Sequence, residues 1–600
     1  MDGVLSAKRC GWLVVLGLFV LARGLRALEL MPVEEIQPGM KGVGKSVFFG
    51  DKVEEFGVEV IDVMRQVSPR GDLILCRLSG AGLESTGVVA GMSGSPVYID
   101  GKLVGAVAYA WGFAKVPIAG VTPIGEMTRI WREEAEGETR RASGVARPAF
   151  DTPHPDPLPQ GARGSASGLG RPASGGIMTV PVAVSGLNPT LAEVIAGPFR
   201  EIGLVPIPAG RAGSGVDGTA ALTPGGAVGV GLVDGDVHFS AIGTITHREG
   251  DKLLAFGHPM FLAGDVRLPM VGGRVHGVVP SLGVSFKLFS PTQELGVVTQ
   301  DRLSGISGLI GPKAPMIPVV VRLKSPTTRE TYRFRVADFA PLVPLLTSAA
   351  LADVVYQTEP AASELTVASR LRLFPVPGLS ESSDTALVEI VHRWTGLNPG
   401  QRLFEQTRQE LEVLYNNQFQ APKIDHMEVE LEFTSGRQMY HLVAAQPDKN
   451  VVIPGEKARL VLRLEEWRGG QFDTAVILTI PQNTPVGPLT LLIGQRDSLM
   501  GLEAFRAPGL FEPGSFLELV KQLKRSGRED ELVVAGYTQM PGITMKGKEL
   551  PTLPPSLHRV LTRTKGQHLQ PTTASPVFET VIPFSAVVSG VVELELEVKK

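Results

Sequence analysis

The sequence predicts a mainly β protein built from more than one domain. The chain has 600 residues, which is too long for one hydrophobic core, so roughly two to four domains are expected. It contains 70 glycines and 47 prolines, whereas aromatic residues make up only 6%. Many short strands joined by tight turns fit this composition better than long helices do. The net charge of -3 argues against a large nucleic-acid-binding surface, which requires clustered lysine and arginine.

Residues 1–27 have the features of a secretory signal peptide. Lys8 and Arg9 precede a short apolar run from Gly11 to Ala22, and small residues follow it up to Ala27. The apolar run is shorter than the roughly 20 residues that a membrane-spanning helix needs, which favours cleavage over retention as an anchor. We therefore expect an exported protein of the periplasm, the cell envelope or the extracellular space.

Residues 28–135 form the first strand-rich segment. Strand-like runs lie at 56–64, 72–78 and 101–110, and Asp100-Gly101 between two apolar runs predicts a hairpin turn. Cys76 lies in one of these runs and is the single cysteine left after removal of the leader. We expect a buried strand residue there, and neither an internal disulfide nor a reactive thiol.

Three further segments follow along the chain. Residues 136–176 are dominated by Pro, Gly, Ala, Ser and Arg and are expected to form a disordered linker. Residues 177–350 are again rich in strand patterns. Residues 365–600 contain runs with strict alternation of apolar and polar residues, which predicts a β-sandwich-rich region. They also contain one helix, which Ser515 is expected to cap and Gly527 to end.

The hexapeptide GMSGSP, from Gly91 to Pro96, is the most informative motif. Acyl transfer requires a hydroxyl on a sharp turn, with backbone N–H groups directed at the developing oxyanion. Small residues on both sides of Ser93 allow substrate and backbone to approach closely, so Ser93 is the candidate nucleophile and Ser95 is the weaker one. The alternative interpretation is a glycine-rich turn in an ordinary β protein.

The motif AFGHPM, from Ala255 to Met260, supplies a candidate general base. His258 follows a strand and a glycine, in a loop that would present its side chain. A lone histidine is more often a surface or core residue than a catalyst. His238 and His247 precede it, but their spacing matches no known zinc pattern, so no metal site and no cofactor are expected.

Both motifs resemble the SpoIVB peptidase family and, more distantly, chymotrypsin-like serine proteases. The stretch from Phe49 to Met127 is similar to the serine segment of that family, and GTITHREGDKLLAFGHPM is similar to its histidine segment. This resemblance implies a split, two-barrel-like peptidase made of residues 28–135 and 177–350. It also implies Ser93 as nucleophile, His258 as base, and the N–H groups of Gly91 and Ser93 as the oxyanion hole.

The chain departs from the family in two respects. Ser93 precedes His258, whereas the sporulation protease has its histidine segment first, so the halves look circularly permuted. No aspartate lies shortly upstream of the serine, where the family has its acidic triad member. Glu84, Asp251 or Asp265 could orient His258, or the site could work as a dyad.

These observations lead to a functional hypothesis and one alternative. The hypothesis is an exported serine endopeptidase in a signalling or processing role, whose candidate substrates are proteins or peptides, including the chain itself. An envelope protein close to the membrane is a further candidate partner. The alternative is an envelope scaffold protein that retains the peptidase fold without activity. The missing aspartate favours the alternative, and the intact GMSGSP and GHP motifs favour the enzyme.

Overall fold

A computed structural model describes residues 29–68, 71–142, 176–210, 222–358, 364–375, 388–525, 528–563 and 569–600. The expected leader and nearly all of the expected linker lie outside these ranges. Strand accounts for 52% of the structure and helix for 20%, which confirms the prediction of a mainly β protein. No helix within the described ranges is long and apolar enough to cross a membrane.

The first segment folds into a closed barrel of six antiparallel strands. They are hydrogen-bonded in the order β4-β1-β2-β3-β6-β5, and pairing of β4 with β5 closes the sheet. Alternate side chains point inward and form a core that includes Ile74, Val97 and Val121. The strands are β1 (Lys41–Phe49), β2 (Lys52–Ser68), β3 (Gly71–Ser79), β4 (Pro96–Ile99), β5 (Lys102–Ala110) and β6 (Ile118–Pro123), with the short β7 (Gly176–Ile177) added beside β5.

Local predictions for this barrel are confirmed. Asp100 and Gly101 both have positive φ, +50° and +76°, in the tight turn that joins β4 to β5. Cys76 is buried in β3, and burial raises the pKa of its thiol to about 12. The helices of this segment are α1 (Leu83–Thr86), α2 (Ile124–Met127) and α3 (Arg129–Ala142), preceded by a single 3₁₀ turn (Val33–Glu35). Helix α3 continues beyond residue 136, where composition placed the start of the linker.

The second segment contains another closed barrel of six antiparallel strands. Its order is β10-β13-β14-β15-β12-β11, and pairing of β10 with β11 closes it. Two short strands continue the sheet beyond β11, and the helix between them is capped by the Asn188 side chain. The elements are β8 (Val180–Val184), α4 (Pro189–Glu201), β9 (Leu204–Pro208), β10 (Ala227–Gly235), β11 (Phe239–Glu249), β12 (Lys252–Ala255), β13 (Gly264–Val279), β14 (Phe286–Arg302) and β15 (Gly305–Ile310).

The sheet of the second barrel continues past residue 365, where the pattern change suggested a new region. Five further strands join it in the order β19-β18-β20-β16-β17, and β17 pairs with β10. They pack against a helix that is buried along most of its length. These elements are β16 (Met316–Lys324), β17 (Arg329–Ala337), α5 (Val343–Thr358), β18 (Leu365–Pro375), β19 (Val388–Gly396), α6 (Pro399–Tyr415) and β20 (Ile424–Ser435).

The C-terminal part is a β-sandwich with peripheral helices, which confirms that part of the predicted fold. Two sheets, β24-β23-β21-β31 and β22-β32-β25-β26-β30, enclose one apolar core. The strands are β21 (Met439–Pro447), β22 (Val451–Val452), β23 (Lys457–Glu466), β24 (Gln471–Thr479), β25 (Gly487–Gln495), β26 (Glu531–Thr538), β27 (Ile543–Met545), β28 (Lys548–Leu550), β29 (Leu569–Pro571), β30 (Ser575–Pro583), β31 (Val587–Ser589) and β32 (Val591–Val598).

The helices of this part are α7 (Arg496–Arg506), a 3₁₀ turn (Pro508–Phe511), α8 (Phe516–Leu523) and α9 (Pro555–Arg563). The predicted cap is present at α8, because the Ser515 hydroxyl accepts the Glu518 N–H at 3.3 Å. The expected end of this helix, Gly527, lies outside the described ranges.

Candidate active site

The motif GMSGSP forms a tight turn, here called the serine turn (residues 91–95), between α1 and β4. Gly91 and Gly94 have φ values of +95° and +92°, a region that favours glycine. A Cβ atom on Gly94 would overlap the carbonyl of Thr244 and the N–H of Phe256, both in the second barrel. Glycine is therefore required where the serine turn meets the histidine-bearing half of the chain.

The backbone N–H groups of the serine turn fall into two sets. Those of Met92, Gly94 and Ser95 donate to carbonyls of the first barrel at 3.0, 2.7 and 2.9 Å. Those of Gly91 and Ser93 donate to no acceptor within the described part of the chain. Two free N–H groups on either side of one residue form a site that could accept a negatively charged oxygen.

His258 lies in the loop of residues 256–263, here called the histidine loop, and is fully buried. Its Nδ1–H donates to the Pro259 carbonyl at 2.8 Å, which leaves Nε2 as the unprotonated acceptor. Nε2 makes no hydrogen bond with any described residue. Burial lowers the pKa of His258 to about 4, so the ring is neutral at pH 7.

Ser93 and His258 are not hydrogen-bonded to each other in the structure. The Ser93 hydroxyl is buried, and like His258 Nε2 it has no partner among the described residues. Their loops nevertheless meet at Val107 of β5. The Gly94 N–H donates to the Val107 carbonyl at 2.7 Å, and a Cβ on Gly257 would lie 3.1 Å from the same oxygen. The structure therefore brings the two predicted residues into one junction and leaves both reactive atoms unpaired.

Threonines from each barrel support the loop of the other. The hydroxyls of Thr244 and Thr246, in β11, donate to carbonyls of the serine turn at 3.0 and 2.8 Å. In the opposite direction, the Thr122 hydroxyl at the end of β6 donates to the Gly257 carbonyl at 2.7 Å. All three threonines are buried. The geometry of each loop therefore depends on the presence of the other barrel.

The three carboxylates considered as orienting acids do not bond to His258. Glu84 is exposed and accepts a backbone N–H four residues upstream at 2.6 Å. Asp251 lies in the exposed turn between β11 and β12, and Asp265 pairs with Arg302 at 2.5 Å. The Pro259 carbonyl accepts the Nδ1 proton at the position on the imidazole ring where an orienting acid would bind.

Sequence reasoning missed Asp301, a buried carboxylate at the end of β14. It accepts backbone N–H groups of the histidine loop from Met260, Phe261 and Ala263, at 2.8, 2.7 and 3.3 Å. Burial raises its pKa, whereas these hydrogen bonds act in the opposite direction. No local motif marks Asp301, because its partners are backbone atoms distant in sequence.

A cleft of about 180 Å³ lies between the first barrel and the loop that precedes β14. Its walls are residues 84–88, Trp111, residues 113–118, residues 281–283 and Ser285. One of its wall residues, Ser285, lies close to the serine turn, because its carbonyl accepts the N–H of Ala90, the residue before that turn, at 2.7 Å. Phe113 and Leu282 on its rim are 83% and 94% exposed, which provides apolar surface at the entrance.

The histidines considered as metal ligands do not form a cluster. His247 Nε2 bonds to Glu249 at 3.0 Å, and His258 lies in its own loop. Within the described ranges, no group of three or more His, Cys, Asp or Glu side chains is placed to hold a metal ion.

The fold is thus mainly β, with two closed antiparallel barrels and with the serine turn and the histidine loop at their junction. Residues 26–120, which include the serine turn, match the family described as SpoIVB peptidase S55. The resemblance of the serine segment to the SpoIVB type is thus confirmed. The match ends before the histidine segment, so the permuted order stays a prediction. No curated protein and no solved structure matches the chain.

Proposed function

We propose that this chain is an exported serine endopeptidase of the SpoIVB type, with Ser93 as nucleophile and His258 as general base. The observation that supports this most strongly is a set of four groups at the barrel junction that have no hydrogen-bond partner among the described residues. They are the Ser93 hydroxyl, His258 Nε2 and the N–H groups of Gly91 and Ser93. Buried polar groups are normally hydrogen-bonded, so four such groups together favour a site that awaits a substrate.

In the proposed reaction His258 Nε2 takes the hydroxyl proton while Ser93 Oγ forms a bond to the peptide carbonyl carbon. The carbonyl oxygen becomes an oxyanion and accepts hydrogen bonds from the N–H groups of Gly91 and Ser93. Each such donor contributes about 3 kcal/mol of transition-state stabilisation in comparable sites. The bond from carbon to the leaving nitrogen then breaks, and His258 returns its proton to the amine. Water attacks the acyl-enzyme by the same steps and releases the acid.

The Pro259 carbonyl takes over one role of the missing acid. By accepting the Nδ1 proton it fixes the tautomer that leaves Nε2 free to act as a base. A neutral carbonyl stabilises the imidazolium less than a carboxylate does, and burial opposes protonation further. We therefore expect slow turnover by this site.

Reaction with a fluorophosphonate probe tests the proposal. The probe should form one adduct on Ser93, located by peptide mass mapping. Ser93→Ala and His258→Ala should each lose this adduct and any self-cleavage. Ser95→Ala is the matched control, because a hydroxyl is removed from the same turn while the adduct remains on Ser93. An adduct on Ser95 in the unmodified protein, or none at all, would contradict the assignment.

A non-catalytic envelope scaffold is the second candidate function. Two observations favour it: Ser93 and His258 are buried, and no carboxylate contacts the His258 ring. The same labelling experiment separates the two functions, because a scaffold would leave the probe unreacted at every pH. Under either function the expected partners are proteins or peptides of the envelope, with this chain itself as one candidate, and no cofactor is required.

Export is a further part of the proposal and rests on the sequence of residues 1–27. Protein purified from its natural host should have a mature N-terminus near Leu28. Mass spectrometry that finds intact Met1 in the cytosol would contradict export without affecting the assignment of Ser93.

A further inference from the structure

A lysine from the second barrel lies buried beside the serine turn. Lys287, near the start of β14, is fully buried. Its Nζ donates to the Ser46 hydroxyl at 2.9 Å and lies 5.8 Å from the centre of the Phe48 ring. No carboxylate within the described ranges pairs with it. Lysine is rarely buried without such a partner, because removing an ammonium from water is costly.

Lys287 contacts both ends of the serine turn. The Ser95 hydroxyl donates to the same Ser46 oxygen at 3.0 Å, so a hydrogen-bonded chain links Nζ to the C-terminal end of the turn. At the N-terminal end, a Cβ on Gly91 would lie 3.2 Å from Cδ of Lys287. The Lys287 backbone N–H also donates to the Ala90 carbonyl at 3.1 Å. The Ser93 hydroxyl and the free N–H groups of Gly91 and Ser93 lie in the part of the turn that these two sets of contacts enclose.

The fold gains little from an amine at this position. Burial is the cause that lowers the pKa of Lys287, to about 7, and no charged neighbour among the described residues compensates for it. Its side chain contacts the Ser46 hydroxyl, the Phe48 ring and Gly91 of the serine turn, and these three groups carry no charge. A destabilising ionisable group beside a candidate active site favours a functional explanation.

We propose that Lys287 is a positioning residue for the serine turn and that it acts in its ammonium form. Through Ser46 and Ser95 the ammonium fixes one end of the turn, and its aliphatic stem supports Gly91 at the other end. Its positive charge also favours a negative oxygen at the neighbouring N–H groups. The effect on catalysis rests on the proposed function, whereas the effect on the conformation of the turn does not.

The rate of probe labelling as a function of pH tests the catalytic part. Attack by Ser93 requires neutral His258 and charged Lys287, so the rate should rise above a pH of about 4 and fall above about 7. Lys287→Met should lose the alkaline fall and should label roughly tenfold to a hundredfold more slowly at pH 6. Its thermal stability should not decrease, which separates positioning from a structural role. Ser46→Ala should slow labelling in the same direction while it retains the amine.

Hydrogen exchange of a peptide covering residues 88–98 tests the conformational part without any activity. In the unmodified protein, protection of this peptide should decrease above pH 7, beyond the ordinary dependence of exchange on pH. In Lys287→Met it should be low at every pH. Equal protection and equal labelling profiles in the two proteins would overturn the proposal. The proposal is also overturned if the labelling rate of the unmodified protein rises through pH 7 and this rise is absent in Lys287→Met. The neutral amine would then be the active form.

Failure of the two proposals can be distinguished. Absence of labelling in the unmodified protein refutes the peptidase, and the exchange measurement then still decides whether Lys287 positions the turn. Labelling of Ser93 that does not depend on Lys287 supports the peptidase and refutes the positioning role.

Discussion

Replacement of Lys287 by methionine should change how the stability of the protein depends on pH. In the folded protein burial lowers the pKa of this amine from 10.5 to about 7, whereas the unfolded chain retains the ordinary value. Between these values the unfolded state binds more protons than the folded state. The free energy of unfolding of the unmodified protein should therefore rise as the pH rises from 7 towards 10.5.

The size of this effect follows from the shift. One pKa unit corresponds to 1.36 kcal/mol, so the full difference amounts to about 5 kcal/mol over the whole range. About 2 kcal/mol of it should appear between pH 7 and pH 9, where measurement is practical. Lys287→Met lacks this component, and the methionine fills a similar apolar volume. The variant should be more stable than the unmodified protein at pH 7, and this advantage should shrink as the pH rises.

Urea unfolding followed by tryptophan fluorescence at pH 7, 8 and 9 measures the difference. Lys324→Met is the matched control, because Lys324 is half exposed in β16 and pairs with Glu432. Its effect should stay below about 1 kcal/mol at each pH. Parallel pH dependences of the unmodified protein and Lys287→Met would refute the idea of a buried amine with a lowered pKa.

Three further predictions concern the junction of the barrels. Gly94→Ala should lower the free energy of unfolding, measured in urea, by about 1–3 kcal/mol more than Gly80→Ala does. Both glycines have positive φ, but only at Gly94 would a Cβ overlap the second barrel, so equal losses would contradict this. Between pH 6.5 and pH 4 the unmodified protein should lose about 3 kcal/mol of stability because of His258, since the buried ring has a pKa near 4 and the unfolded chain binds the proton first. His258→Gln should lack this loss, and an unchanged acid profile would refute the prediction. Asp301→Asn should lower the free energy of unfolding by about 1–3 kcal/mol and increase hydrogen exchange of the histidine loop. Asp265→Asn, which removes an exposed ion pair, should have neither effect.

Much of the fold could be predicted from the sequence because strand patterns are local. The alternation in residues 426–433 and the turn at Asp100-Gly101 specify a face and a bend without reference to distant residues. Closure of each barrel could not be read in this way, since it depends on pairs such as β4 with β5 and β10 with β11. The boundary suggested at residue 365 reflects a real change of pattern inside a sheet that continues.

In the candidate site, too, residues marked by a local motif could be predicted, and residues that depend on distant contacts could not. Ser93 and His258 stand out because glycine and proline flank them in recognisable motifs. Asp301 and Lys287 do not, because their partners are backbone or hydroxyl groups from parts of the chain that are distant in sequence. A carboxylate in a strand and a lysine in a hairpin look like ordinary surface residues until the packing shows that both are buried.

Threonines of each barrel donate hydrogen bonds to the loop of the other barrel, and this has a consequence for the order of events during synthesis. His258 follows Ser93 by 165 positions (258 − 93), which takes about 10–30 s at typical rates of translation. During that interval the serine turn has neither Thr244 nor Thr246 to hold its carbonyls, and no base nearby. Under the proposed function, the nascent chain thus carries its nucleophile through synthesis in an unassembled state. The hydrogen bonds between the two loops can form only after the second barrel has been synthesised and has folded.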